Sequence, residues 1–252
     1  MRAAVMVSTL RMYEMGPAAA MACAKEVLMA TFKLSGVTLN IPGHVLNPNL
    51  KKALQEGRYE WNERLAVTKN VQPGDRVLDI GAGAGFVSCL CAKVVGGENL
   101  TSVEALPDMV PVVRRNLNLN GAGDASVLHG AVVADGFDGD EVRFKVATGF
   151  WSSSISTQDS ARDIVVPVLR FSDLMRDVRP SVVIMDIEGG EVDICQQDWP
   201  DHVRLLIMEI HTRMYSAATL KAVFDGMSRN GFTYYPWGTR GEVVVLQRVN
   251  DA

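Results

Sequence analysis

Two groups of residues have the types and the spacing to do chemistry. The first is RVLDIGAGAGF (Arg76–Phe86), an apolar run that passes into the alternating glycines Gly81, Gly83 and Gly85, with Ala82 between the first two. Glycines at such a turn let the backbone pass close to a ligand and aim the amides of the following helix at it. Asp79 stands two residues before Gly81, placed to reach a ligand's ammonium group or to organise the loop. Glu104 ends the next apolar run, about 20 residues past the last glycine, the spacing of an acid that takes both hydroxyls of a ribose. A dinucleotide fingerprint would need a third glycine where Phe86 stands. The pattern therefore fits S-adenosylmethionine, which has a ribose and an amino acid but no pyrophosphate.

The second group is Asp186 and Glu188, at the end of the run VVIMDIE, with Glu209 and His211 at the end of RLLIMEIH. Open α/β sheets bind ligands beyond the carboxyl ends of their strands. Two neighbouring strands would thus bring these four side chains to one rim, and strand alternation would point Asp186 with Glu188 and Glu209 with His211. An alcohol is a poor nucleophile, so a base or a metal beside it helps, and His211 titrates where a general base should. Carboxylates with a histidine also resemble a hard divalent-cation site; magnesium stays open as an alternative and no metal ligands are assigned. Glu191 reads as a cap or dipole partner in the first turn of the next helix. His44 and His202 receive no role. His129 belongs to the rim of the third strand, and Trp151, Trp199, Tyr234, Tyr235 and Trp237 read as core or rim packing.

The elements that must carry these groups follow from periodicity. Short apolar runs predict strands over Arg76–Ile80, Leu100–Glu104, Ser126–Val133, Ser181–Ile187, Arg204–Ile210, Phe232–Trp237 and Val243–Val249. Helices over Gly85–Val95 and Asp108–Leu119 alternate with the first three, which predicts a parallel sheet covered on both faces. The last two strands are separated by a short glycine-containing loop, so the final strand should run antiparallel. Residues 134–175 are too long for a plain connection and predict an extra hairpin with a loop on the substrate side, including strands at Val142–Val146 and Ile164–Leu169. Ahead of the sheet, residues 12–34 have helix-forming composition with a start at Gly16-Pro17, residues 36–50 read as loop and short strand, and a further helix spans Asn49–Asn70 with a break at Gly57.

With 252 residues the chain can bury a large core without staples. Hydrophobic residues at 48% and charged ones at 21% exclude general disorder. A formal net charge of −4 leaves no basic excess for a broad nucleic-acid surface. The four cysteines, Cys23, Cys89, Cys91 and Cys195, show no metal spacing and read as free thiols in a reducing compartment. The stretch Met15–Ala30 is broken by Lys25 and Glu26, too short and charged to span a bilayer or act as a signal peptide, which gives a cytoplasmic expectation with no membrane partner.

The segments GRYEWNE (57–63), VLDIGAGAGF (77–86), VEALPD (103–108), RRNLNLNG (114–121), HGAVVADG (129–136), the serines at 152–154 and VVIMDIEGGEVDI (182–194) together resemble the FkbM family of S-adenosylmethionine-dependent methyltransferases. The apolar strand ending in D-[IV]-E-G-x-E is the most specific of them. The chain departs from the family in GAGAG, where many members have GANIG, and in Ala105-Leu106 after the acid. The resemblance implies a Rossmann-like class I α/β fold of seven strands in the order 3-2-1-4-5-7-6, mostly parallel with strand 7 antiparallel. It divides the chain into an N-terminal helical extension, 1–56, and a methyltransferase domain, 57–252. It implies O-methylation of a hydroxyl on a sugar, polyketide or other small metabolite. Gly81, Ala82, Gly83 and Gly85 would cradle the methionyl part, and Glu104 with Ala105 would hold the ribose. Gly130 and Ala131 would border the adenine, and Glu60 and Asp186 would close the amino-acid end. The N-terminal helices would cap the pocket or form a homodimer interface. A methyltransferase acting on RNA or protein, and a non-catalytic cofactor-binding scaffold, are the alternatives. The former is weakened by the acidic charge and by the absence of an N/D-P-P-Y/F motif after strand four.

Overall fold

A computed structural model describes residues 29–145, 154–155 and 163–249. The chain opens with a hairpin, β1 (Met29–Leu34) and β2 (Val37–Pro42), followed by α1 (Pro48–Gln55) and α2 (Trp61–Asn70). Alternation then sets in: β3 (Val77–Ile80), α3 (Phe86–Val95), β4 (Leu100–Glu104), α4 (Val110–Leu119) and β5 (Ser126–His129). After a side branch come α5 (Phe171–Val178), β10 (Val182–Met185), the single turn α6 (Glu191–Ile194) and β11 (Leu205–Glu209). α7 (Ala217–Arg229), β12 (Phe232–Arg240) and β13 (Val243–Arg248) close the chain.

The central sheet has seven strands in the order β12-β13-β11-β10-β3-β4-β5. The five strands from β11 to β5 are mutually parallel, and β13 is antiparallel to both β11 and β12. Read from β5 to β12 in order of appearance along the sheet-forming strands, this is 3-2-1-4-5-7-6, as expected. Pleating sends successive residues to opposite faces, so each strand feeds two cores. Val77, Val182, Ile184, Leu205, Ile207, Val243 and Val245 pack with α2, α3 and α4. Leu78, Ile80, Val183, Met185, Leu206, Met208, Val244 and Leu246 pack with α5, α6 and α7.

The structure departs from the sequence reading in three places and bears it out in a fourth, the insertion at 134–175. Residues 29–34, expected to end a helix, form β1, because Ser35 and Gly36 both take positive φ (50° and 75°), the condition for a two-residue hairpin turn. That turn overrides helix-favouring composition; the rest of the predicted helix, 12–28, lies outside the described residues. The strand expected over Ser126–Val133 divides at Gly130. β5 stays in the central sheet, while β6 (Ala131–Val133) pairs with β9 (Asp163–Arg170) in a second sheet. A side chain at position 130 would meet Leu169 Cγ and the Pro167 carbonyl oxygen at 2.8 Å, so only glycine lets β5 and β9 pass this closely. Within 134–175 the expected hairpin is present as β7 (Glu141–Lys145) antiparallel to β9, with β8 (Ser154–Ile155) added on β7. The remaining residues of that segment's loop, with Trp151 and Ser152–Ser153, lie outside the described residues. The helix drawn over 49–70 is two helices, broken at Gly57 (φ 66°) as expected but resuming only at Trp61. Cys89, Cys91 and Cys195 are free and buried; Cys23 lies outside the described residues. No described helix is long and apolar enough to cross a membrane.

The hairpin shares the first core through Val37, Leu39 and Ile41, each fully buried. Asn116, also fully buried, ties it to the glycine loop: its Oδ1 accepts from Asn40 N (2.7 Å) and its Nδ2 donates to Ala84 O (2.8 Å). Asn116→Ala would strand both backbone groups, each costing about 1–3 kcal/mol. Chemical denaturation should show a loss of about 2 kcal/mol or more; a loss under about 0.5 kcal/mol would mean that Asn116 does not tether the hairpin, which would then be held by apolar contact and by the Asn120–Thr38 hydrogen bonds.

Candidate active site

The glycine loop leaves β3 at Gly81 (φ 90°), passes Gly83 (φ 54°) and enters α3 at Gly85 (φ 77°). A Cβ on Gly81 would lie 1.9 Å from the carbonyl oxygen of Asp186, so the ends of β3 and β10 meet there backbone to backbone. The loop amides are occupied within the protein. Gly81 N and Ala82 N both donate to Val103 O at 3.0 Å, Gly85 N to Ala82 O at 2.7 Å, and Gly83 N to Glu104 Oε2 at 2.7 Å. The turn therefore offers close backbone rather than free donors at these four positions, leaving the amides of the first turn of α3 as those expected to face a ligand.

Glu104, only 6% exposed, also accepts from Leu106 N (2.8 Å), and so links the loops after β3 and β4. Burial pushes its carboxyl up to about 7, the two backbone amides opposing. Asp79 lies beneath the loop and is 2% exposed; it accepts from Ser88 Oγ, which is 2.9 Å from Ser102 Oγ. Of its two expected roles, organising the loop is the one its position serves.

One pocket opens over these loops. Its lining includes Tyr59, Glu60, Gly81, Gly83, Glu104, Ala105, Gly130, Ala131, Asp186 and Glu188. Ala105, Leu106, Ala131 and Val132 supply apolar lining to the same pocket. Ala82 and Gly85, like Asp79, support the loop without lining the pocket. Glu60 sits in left-handed conformation (φ 46°) just before α2, and burial, reinforced by Glu63, drives its carboxyl well above the usual range.

At the far end stands the acidic rim. β10 stops at Met185, and the chain turns at Glu188 (φ 48°) and Gly189 (φ 110°), so Asp186 and Glu188 converge through a strained turn rather than by strand alternation. His211 Nε2 lies 3.4 Å from Asp186 Oδ1 and 3.3 Å from Glu188 Oε2. Glu209 stands near Asp186, and burial pushes its carboxyl up, with His211 opposing. Burial first, then Glu209 and Glu188, push Asp186 well above the carboxylate range.

Glu191 does more than cap a helix. It is 1% exposed and accepts from Ile187 N (3.2 Å), Gly189 N (2.7 Å), His211 Nδ1 (3.0 Å) and the Tyr215 hydroxyl. These donors, His211 before Tyr215, outweigh burial and hold it below the usual range. It thereby fixes both the turn and the imidazole. Tyr215 carries no sequence signal for this contact; Glu191 carries one, as the last acid of DIEGGE. Of the aromatics, Trp199 is core, packed between Phe171 and Phe232, while Tyr234 and Trp237 are exposed.

The family model described as Methyltransferase FkbM domain matches residues 79–234, more than half of the chain. The chain belongs to the FkbM methyltransferase family. Among curated proteins, the 23S rRNA (uracil(1939)-C(5))-methyltransferase RlmD of Shewanella sp. (strain MR-4) is 35% identical over 96 residues, 37% of this chain and 19% of that protein. Protein-L-isoaspartate O-methyltransferase of Aeropyrum pernix is 43% identical over 51 residues, 20% of each chain. The chain thus spans about a fifth of the length of these relatives. The solved structure of M. jannaschii TYW2 in complex with AdoMet superposes with a TM-score of 0.45 at 15% identity, covering 88% of this chain and 87% of that one.

For an FkbM methyltransferase the residues present fit S-adenosylmethionine. Asp186 Oδ1 is buried in the pocket wall without a hydrogen bond, an acceptor suited to a cationic group. Gly81 admits no side chain at the β3–β10 contact, and Glu104 presents a carboxyl at the opposite end of the same pocket.

Proposed function

We propose that this FkbM methyltransferase transfers the methyl group of S-adenosylmethionine to a hydroxyl of a small metabolite, a sugar, polyketide or related compound. The observation that carries this reading is one pocket lined by Glu104 together with Asp186 and Glu188, the two carboxylates that His211 Nε2 faces. The cofactor supplies a sulfonium-bound methyl for in-line displacement. Glu104 receives the ribose hydroxyls, Ala105, Gly130 and Ala131 border the adenine, and Gly81 and Gly83 lie along the methionyl part. Asp186 Oδ1 and Glu60 receive the amino-acid end, with Asp79, Ala82 and Gly85 holding the loop in shape.

The acceptor oxygen must sit in line with the methyl and lose its proton, so alignment and a nearby base carry most of the catalysis. Asp186, Glu188, Glu209 and His211 form the rim that takes that proton. The formal net charge of −4 leaves no basic excess to neutralise a phosphate backbone. That favours a small neutral acceptor over RNA, the substrate named for one curated relative.

Calorimetric titration with S-adenosylmethionine tests the reading. Micromolar binding is expected for the wild type. Glu104→Ala should weaken it at least tenfold, about 1.4 kcal/mol, with a parallel melt showing that the variant folds. Absence of binding to the wild type would overturn the cofactor site, and unchanged affinity in Glu104→Ala would remove Glu104 from it.

A further inference from the structure

We propose that Asp186, Glu188 and His211 bind one divalent first-row transition-metal cation, of the manganese or zinc kind. The proposal takes from the preceding reading only that this rim faces the methyl acceptor; with Asp186, Glu188 and His211 on the ion, Glu209 remains to take the acceptor's proton and Glu60 to receive the amino-acid end.

Three observations carry it. The first is spacing. One donor atom from each of the three residues can be chosen so that all lie within 4.8 Å of one another, and His211 Nε2 is 3.3 and 3.4 Å from the two carboxylate oxygens. Ligands bound at roughly 2.0–2.2 Å and separated by about 90–110° lie roughly 2.8–3.6 Å apart, so these are distances between neighbours around one ion. The second is the imidazole's orientation. Glu191 Oε1, 3.0 Å from Nδ1, accepts the proton there and so turns Nε2 toward the two carboxylate oxygens, where a cation can take the place of the Nε2 proton. A histidine held through its other nitrogen by a buried carboxylate is also the arrangement that orients and strengthens imidazole ligands. The third is Asp186 Oδ1 itself, buried and without a hydrogen bond. Its nearest positive group is the imidazole it faces, and among the described residues no lysine or arginine is ion-paired to any of the three acids.

The donor set selects the ion. Magnesium and calcium favour all-oxygen shells, whereas an imidazole nitrogen with two carboxylates suits manganese, iron or zinc. Such an ion lowers the pKa of a hydroxyl bound to it, which is what the acceptor needs at this rim.

The test uses the metal-stripped full chain, titrated with Mn2+ by calorimetry and followed by the loss of free Mn2+ signal in electron paramagnetic resonance. One equivalent is expected to bind the wild type. His211→Ala should weaken binding by more than tenfold. Glu191→Gln should weaken it by roughly tenfold to a hundredfold while leaving all three ligands in place. If His211→Ala does not fold, His211→Gln takes its place. No stoichiometric Mn2+ or Zn2+ binding by the folded wild type, or binding indifferent to the His211 and Glu191 substitutions, would overturn the proposal. S-adenosylmethionine affinity, measured on the same metal-free samples, reports separately on the cofactor pocket, so failure of one reading is visible beside success of the other.

Discussion

Gly81→Ala is expected to abolish cofactor binding and to destabilise the fold by about 3 kcal/mol or more. Two effects combine. At φ 90° a side chain is strained wherever it points, and here the new Cβ would lie 1.9 Å from Asp186 O and 2.9 Å from its carbonyl carbon. Both are backbone atoms, so no rotamer change relieves the overlap and the ends of β3 and β10 must part. Those ends also form the floor of the pocket, so affinity for S-adenosylmethionine should fall more than a hundredfold, about 2.7 kcal/mol. Gly74→Ala separates the two effects. Gly74 has φ 91° but nothing within 4 Å of its added Cβ, so it carries the backbone strain alone, about 1 kcal/mol. Thermal melts and titrations on both variants decide the matter. If Gly81→Ala melts no lower than Gly74→Ala and binds like the wild type, the β3–β10 contact does not shape the site.

The ligand-free protein should lose stability as pH rises from about 5 to 8. Burial pushes Asp79 up to about 6, and Glu63 and Glu104 up to about 7. Over this window the folded chain keeps protons that the unfolded chain has already released, so stability falls with rising pH and levels off above the folded values. His211, pulled up by Glu191 and Glu188 against burial, acts in the same direction, its contribution fading as pH passes its raised value. Glu191 and Asp75 are held low, and theirs is lost only as pH falls below the ordinary carboxylate range. Each unit of raised pKa corresponds to about 1.4 kcal/mol, so Asp79 alone accounts for about 3 kcal/mol from about pH 4 upward, about half of it above pH 5. Asp79→Asn keeps an acceptor for Ser88 and removes the titration; its melting temperature should vary less with pH than the wild type's. A wild-type melting temperature that climbs between pH 5 and 8, or an equally steep profile in the variant, would contradict this account.

Much of the site was legible because its signals are local. A fully apolar run followed by alternating glycines reads as a strand entering a tight turn, since positive φ at Gly81, Gly83 and Gly85 is a single-residue property. Glu104 was found by its distance along the chain from that turn, a spacing fixed by one helix and one strand. The antiparallel final strand followed from the shortness of the loop before it. DIEGGE marked the end of β10, though the assignment of Glu191 to a helix dipole missed that its carboxylate folds back onto Ile187 N and Gly189 N.

What the sequence determined by itself is therefore the family, the alternation of strands and helices, and the residues at the strand ends, all set by side-chain period and backbone preference over a few residues. The tertiary structure decided what depends on segments far apart in the chain. Ser35 and Gly36 turned a helix-forming stretch into a strand because β2 was there to pair with it and α4 to receive it. Gly130 divided one apolar run between two sheets because β9 passes too close for a side chain. His211 acquired its orientation from Glu191, and Glu191 its hydroxyl donor from Tyr215, through contacts spanning 20 and 24 positions. Nothing in the local pattern specifies such contacts, because they arise only when β10 and β11 lie side by side and carry their loops to the same rim.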